Sequence, residues 1–190
     1  MSGTTITEHQ LQPYFDIEDF MALSQEKRLG GAVLERLLGL WEAWLPRLKA
    51  CQITSGPSSW LAVWLPEEVE AAVDEAWAQS PSEGFLVNTL AQYLCMTGVQ
   101  ELLPQVETGG CAPSPRPTPE LRAALAEQGL PYKGEDSSLL ERRYAVLTYF
   151  PFRGGCEVCH MRPLCPKGQG RDENASIVLP GHERADGSGS

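Results

Sequence analysis

The stretch Ala32-Val33-Leu34-Glu35-Arg36-Leu37-Leu38-Gly39-Leu40-Trp41-Glu42-Ala43-Trp44-Leu45-Pro46-Arg47-Leu48-Lys49-Ala50 sets how the rest of the chain is read. Val33, Leu37, Leu38, Trp41, Trp44, Leu45 and Leu48 recur at three- and four-residue steps. That spacing gathers apolar side chains on one face of an α-helix. Pro46 is expected to kink the helix or end it early, because proline has no N–H to donate and its ring crowds the preceding turn. Upstream, Ile17, Phe20, Met21 and Leu23 repeat the helical spacing over residues 16–28, and Gly30-Gly31 can stop that segment.

Working downstream, Thr54-Ser55-Gly56-Pro57-Ser58-Ser59 is a turn cluster, followed by a short apolar stretch at 60–65. Pro66 suits the first position of a helix, with Glu67-Glu68 favoured by the helix dipole. A helix over 67–79 then carries Val69, Ala72, Val73 and Trp77 on one face, with Glu67, Glu68, Glu70, Asp74 and Glu75 on a solvated acidic face. Ser80-Pro81-Ser82 breaks the chain before another helix at 85–103. Alternating apolar and polar strands are scarce. The expected fold class is therefore mainly α, with a helical bundle-like body at 14–107 and the five tryptophans in its core.

Residues 108–119 contain Gly109, Gly110 and four prolines, so they read as a linker or an extended arm. Residues 120–171 are expected to form a helical hairpin followed by an irregular Cys-rich lobe. Thr118 caps the first helix with Pro119 at its start, and Gly129 ends it. Ser138-Leu139-Leu140-Glu141 fits a capping box opening a second helix to about Tyr149. Residues 172–190 are polar and end in Gly187-Ser188-Gly189-Ser190, a composition expected of a disordered tail.

The 190 residues carry a net charge of −10, which argues against a general nucleic-acid binder. Apolar runs are far shorter than a membrane span needs. The first residues lack the basic and apolar regions of a secretory signal, so the expected location is cytoplasmic. Charge is unevenly spread: 20 acidic residues against eight basic before residue 142, but six basic against Glu157 alone over 142–171. That basic island coincides with the densest cysteine cluster. In a reducing compartment such a cluster points to metal before disulfide.

The cluster reads Gly154-Gly155-Cys156-Glu157-Val158-Cys159-His160-Met161-Arg162-Pro163-Leu164-Cys165-Pro166-Lys167, a C-x2-C-x5-C pattern followed by proline. Thiolates are soft anionic donors that select iron–sulfur clusters, zinc or copper(I). Zinc sites generally show two paired halves, and only one is visible here. The pattern accordingly favours an iron–sulfur centre, [4Fe–4S], with zinc as the alternative. Cys156, Cys159 and Cys165 are the expected ligands. Cys111, in the pliable Gly/Pro arm, is the leading fourth, ahead of Cys95 on an apolar helix and Cys51 past a helix end. Arg153, Arg162 and Lys167 would tune the centre or receive an anionic partner. A redox dithiol at Cys156/Cys159 fits less well, because no strand leads into a helix there. The C-x-x-C-H haem signature at 156–160 would require assembly outside the cytoplasm.

This segment resembles the last three ligands of several iron–sulfur families. These are endonuclease III-type DNA glycosylases, Cas4-like nucleases, the molybdenum-donor protein of nitrogen fixation, and auxiliary-cluster domains of radical enzymes. Where those families place an upstream cysteine, this chain has Tyr149 or Pro151. A second resemblance, to the C-terminal segment of ferric-siderophore reductases, follows Arg142-Arg143, Tyr149-Phe150, Gly154-Gly155 and Cys156-x2-Cys159; that family's Cys-Cys pair is replaced at Ala145-Val146. These resemblances imply a cluster and a redox or metal-delivery protein partner, or a metal chelate. They cover about 15–30 residues and leave open whether the protein is an enzyme. The rival class is a non-catalytic interaction module with a structural zinc site.

Overall fold

The computed structural model describes residues 3–106, 111–135 and 137–165. Its elements run β1 (Thr5–His9), α1 (Ile17–Ser24), α2 (Gly31–Trp44), β2 (Lys49–Ser55), β3 (Ser58–Trp64), α3 (Glu67–Gln79), α4 (Pro81–Leu102), α5 (Pro119–Glu127) and β4 (Ala145–Tyr149). The four strands form one antiparallel sheet in the order β1-β2-β3-β4. The architecture is mixed α/β, which corrects the mainly-α expectation.

The correction begins where the α2 pattern ends. Pro46 sits in a single 3-10 turn, Leu45–Arg47, and by Lys49 the backbone is extended. The helical spacing that runs on to Leu48 is thus shared between a helix and the approach to a strand. β2 turns into β3 through Gly56-Pro57, with Ser55 paired to Ser58. Gly56 has φ +56°, the left-handed value a two-residue hairpin loop demands of its first residue.

β3 escapes an alternation test because it is buried on both sides, with Trp60, Leu61, Ala62, Val63 and Trp64 all buried. On one face Leu61, Val63 and Ala50 meet Val99 and Leu103, from the end of α4 and just beyond. On the other, Trp60, Ala62, Trp64, Cys51 and Ile53 meet Leu121, Ala124 and Leu125 of α5. The remaining core is helical: Phe20, Leu37, Trp41, Trp44, Val73, Leu90 and Leu94 cluster with Tyr144.

The second expected helix of the hairpin does not form. Ser137 to Tyr144 is irregular, Tyr132 bridges Leu140, and Ala145–Tyr149 pairs with β3 instead. Two causes favour the strand. Tyr144, Val146, Thr148 and Tyr149 prefer extended backbone, and the buried far edge of β3 needs partners for its N–H and C=O groups. The segment is also fixed from the side. Arg143 donates to Asp74 through both terminal nitrogens at 2.6 and 3.1 Å, and Arg142 to Glu70 at 3.3 Å. The acidic face of α3 is therefore a partner for Arg142 and Arg143, where sequence reading left it to solvent.

Other expectations match. Thr118 caps α5 by accepting from Leu121 N–H, as expected; Asp16, for which no cap was expected, caps α1 by accepting from Glu18 N–H and Asp19 N–H. α3 keeps its expected bounds, and extended Ser80 breaks the chain as expected, but α4 starts earlier than expected, at Pro81. Trp77 is 42% exposed, the exception among the five tryptophans. Lys167 and the tail 172–190 lie outside the described residues.

Candidate metal centre

Beyond β4 the chain passes a cis Phe150–Pro151 bond and enters the Cys-rich loop. Gly154 has φ +47°, a conformation that penalises a side chain, and a Cβ there would collide with the Glu157 carboxylate. That carboxylate accepts from Gly155 N–H at 2.8 Å, closing the turn in front of Cys156. The same hydrogen bond holds the Glu157 carboxyl below its usual range, with Arg162 a smaller contribution.

From Cys156 onward the loop advances in steps of three. Cys159 N–H donates to Cys156 O, Arg162 N–H to Cys159 O, and Cys165 N–H to Arg162 O, at 3.2–3.3 Å. Cys156–Val158 and Arg162–Leu164 are single 3-10 turns. With three residues per turn, side chains at i and i+3 fall in line. Cys159 is extended between the two turns, so no continuous helix aligns these positions, but Cys156, Cys159, Arg162 and Cys165 line the same cavity.

The arm at 111–118, just ahead of α5, meets this loop through Ser114. Pro113 and Pro115 are buried and have no N–H, leaving Ser114 between them as a donor. Ser114 N–H donates to Cys159 Sγ at 3.4 Å, and Ser114 O accepts from His160 N–H at 2.8 Å. Thr148 Oγ1 of β4 donates to Pro113 O at 2.9 Å, tying the arm to the sheet. Sequence reading did not single out Ser114; its signal is a hydrogen-bonding residue flanked by two prolines.

These contacts bring Cys111 to the loop. Cys111, Cys156, Cys159 and Cys165 line one cavity of about 290 Å³, together with Pro113, Gly155 and Arg162. Cys111 and Cys156 are exposed, while Cys159 and Cys165 are half-buried. Cys95 and Cys51 lie elsewhere. Cys95 is in the helical core, 3.6 Å from the Tyr144 carbonyl, and burial pushes its thiol up to about 12. Cys51 is in the core against α5, and burial pushes it up to about 11. Arg153 leaves the cavity and lies over the Tyr149 ring at 6.0 Å, while the Tyr149 hydroxyl donates to Val158 O. His160 is exposed.

Among the described residues, no group of three or more His, Cys, Asp or Glu side chains could hold a single metal ion. The four thiols nevertheless line the same open cavity. Ala145 and Val146, which stand where the ferric-siderophore reductase pattern has its Cys-Cys pair, face a neighbouring cleft shared with Ala112 and Met161. Among the described residues, no helix is long and apolar enough to cross a membrane. No family model matches the chain, and neither does any curated protein or solved structure.

Proposed function

We propose that the chain is a cytoplasmic iron–sulfur protein whose cluster, of the [4Fe–4S] type, is held by Cys111, Cys156, Cys159 and Cys165. Its role is electron transfer or metallocluster handling with a protein or metal-chelate partner. The observation that carries this reading is the meeting of four thiols from two distant segments around one cavity. A single zinc ion needs sulfurs about 2.3 Å from one point. A multi-atom cluster accepts donors spread around a larger space, and the donor set is the soft, all-thiolate kind such clusters take. When bound, the group supplies one-electron chemistry. The chain supplies a Ser114 N–H donor to Cys159 Sγ and the Arg162 charge, both of which favour the more negative state.

Anaerobically purified protein is expected to be brown, to absorb near 400 nm and to contain about four iron and four sulfide. Cys111→Ser and Cys156→Ser should each cut the iron content several-fold, while Cys51→Ala and Cys95→Ala should leave it unchanged. Colourless protein with one zinc would select the interaction-module alternative. Equal iron in all four variants would remove the proposed ligand set.

A further inference from the structure

A second cleft, of about 410 Å³, is lined in part by residues next in the chain to those of the thiol cavity. One wall comes from the arm and the Cys-rich loop, through Ala112, Ser114 and Met161. Ala112 adjoins Cys111, Ser114 is hydrogen-bonded to Cys159, and Met161 lies between Cys159 and Cys165. The opposite wall is the irregular segment before β4, contributing Lys133, Ser138, Leu139, Leu140, Arg142 and Arg143.

That wall is braced. Arg122, 4.5 Å from the Tyr132 ring centroid, donates to Gly134 O at 3.0 Å and to Ser137 O at 2.7 Å. Lys133 N–H donates to Leu139 O at 2.9 Å, and Glu141 N–H to Pro131 O at 2.8 Å. The cleft is thus formed before any ligand arrives, as small-molecule sites generally are, and its volume falls in their range.

Its chemistry departs from that of the whole molecule. In a chain of net charge −10 the described lining holds three cationic residues and no carboxylate. The Arg143 guanidinium is committed to Asp74, and Arg142 uses Nη1 on Glu70. The Lys133 ammonium has no ion-pair partner among the described residues and stands at the exposed rim. Leu139, 54% exposed, offers an apolar surface beside it, with Leu140, Val146 and Met161 deeper in the cleft.

We propose that this cleft binds a small organic anion with an apolar body, its acidic group on Lys133 and its body on Leu139 and Met161, one backbone segment away from the thiols. The site rests on its own residues; only its consequence for the metal centre depends on the iron–sulfur reading.

The test uses the full chain purified anaerobically, with anilinonaphthalene sulfonate as an anionic probe and dansylcadaverine as its cationic counterpart. Fluorescence titration should show saturable binding of the sulfonate and at least tenfold weaker binding of the cation. Lys133→Glu and Leu139→Asp, both at exposed positions, should weaken sulfonate binding on the order of tenfold. Lys27→Glu, an equal charge change at an exposed position outside this lining, should not. Equal affinity for both probes, or equal effects of Lys133→Glu and Lys27→Glu, would overturn the proposal. The titration is readable with or without iron, so loss of the cluster reading would leave its result standing. Where iron is present, saturating sulfonate should also alter the visible circular dichroism of the centre.

Discussion

Cys51 and Cys95 differ from the four cysteines around the cavity in everything but residue type. The first two are fully enclosed by apolar side chains, one on each side of the molecule, and burial raises both thiols well above their usual range. A thiolate there would be stranded without solvent or a counter-charge. The other four sit on irregular backbone at or near the surface, beside Arg162 and within reach of backbone N–H groups. A regular helix or strand buries its cysteine as a small hydrophobe. A loop that spends its N–H groups on tight turns leaves its cysteines on the wall of a shared cavity.

The sharpest test of that contrast is reactivity. In metal-free protein at pH 8, Cys111 and Cys156 should alkylate with iodoacetamide at least a hundredfold faster than Cys51 and Cys95. The basis is burial together with thiols raised to about 11 and about 12 in the slow pair. Peptide mapping of the modified sites reads the result, and comparable rates at Cys95 and Cys156 would break the comparison.

Stability should divide the same way, with smaller differences. Cys95→Ala removes a buried group from the helical core and is expected to cost about 1–3 kcal/mol. Cys165→Ala in metal-free protein should cost under about 0.5 kcal/mol. Urea unfolding midpoints measure both.

The smallest effect concerns the salt link between α3 and the segment before β4. The hydrogen bonds from Arg143 hold the Asp74 carboxyl below its ordinary value. A carboxyl depressed in the folded state contributes stability above its unfolded pKa, about 3.9, and loses it as pH falls through the folded value. Wild type should therefore lose more stability than Asp74→Asn as pH drops from about 5 to 3, and the two should run parallel above pH 6. Urea midpoints across that range check it; a divergence above pH 6 instead would contradict the linkage.

What the sequence disclosed, and what it hid, follow from local versus distant causes. Helix starts are local, so Thr118-Pro119 announced α5 and Pro66-Glu67-Glu68 announced α3, with Pro66 standing one position before the helix. The sheet was hidden for three separate reasons. Residues 60–64 are buried on both faces and so lack alternation. β2 begins where the α2 pattern fades. Ser138 to Glu141 imitates a helix start, while the edge of β3 that draws in 145–149 lies more than 80 residues earlier. At the candidate centre, Cys156, Cys159 and Cys165 were visible because they fall within ten consecutive residues. The position of Cys111 beside them depends on Ser114 and Thr148, which no local pattern announces. The ties of Arg142 and Arg143 to α3 were equally out of view, because each joins segments about 70 residues apart.

The pairing of Ser114 with the Cys159 region joins points 45 residues apart, and the enclosed stretch contains both α5 and β4. Any inorganic group bonded to Cys111 and Cys156 together would turn that stretch into a closed ring. By the chain-entropy rule for cross-links, a ring of this size removes on the order of 4 kcal/mol of disorder from the unfolded chain. Bound metal would then act as a removable staple on one edge strand and the helix across the sheet from α4. Loss of the metal would remove that constraint and lower the stability of the folded chain by the same order.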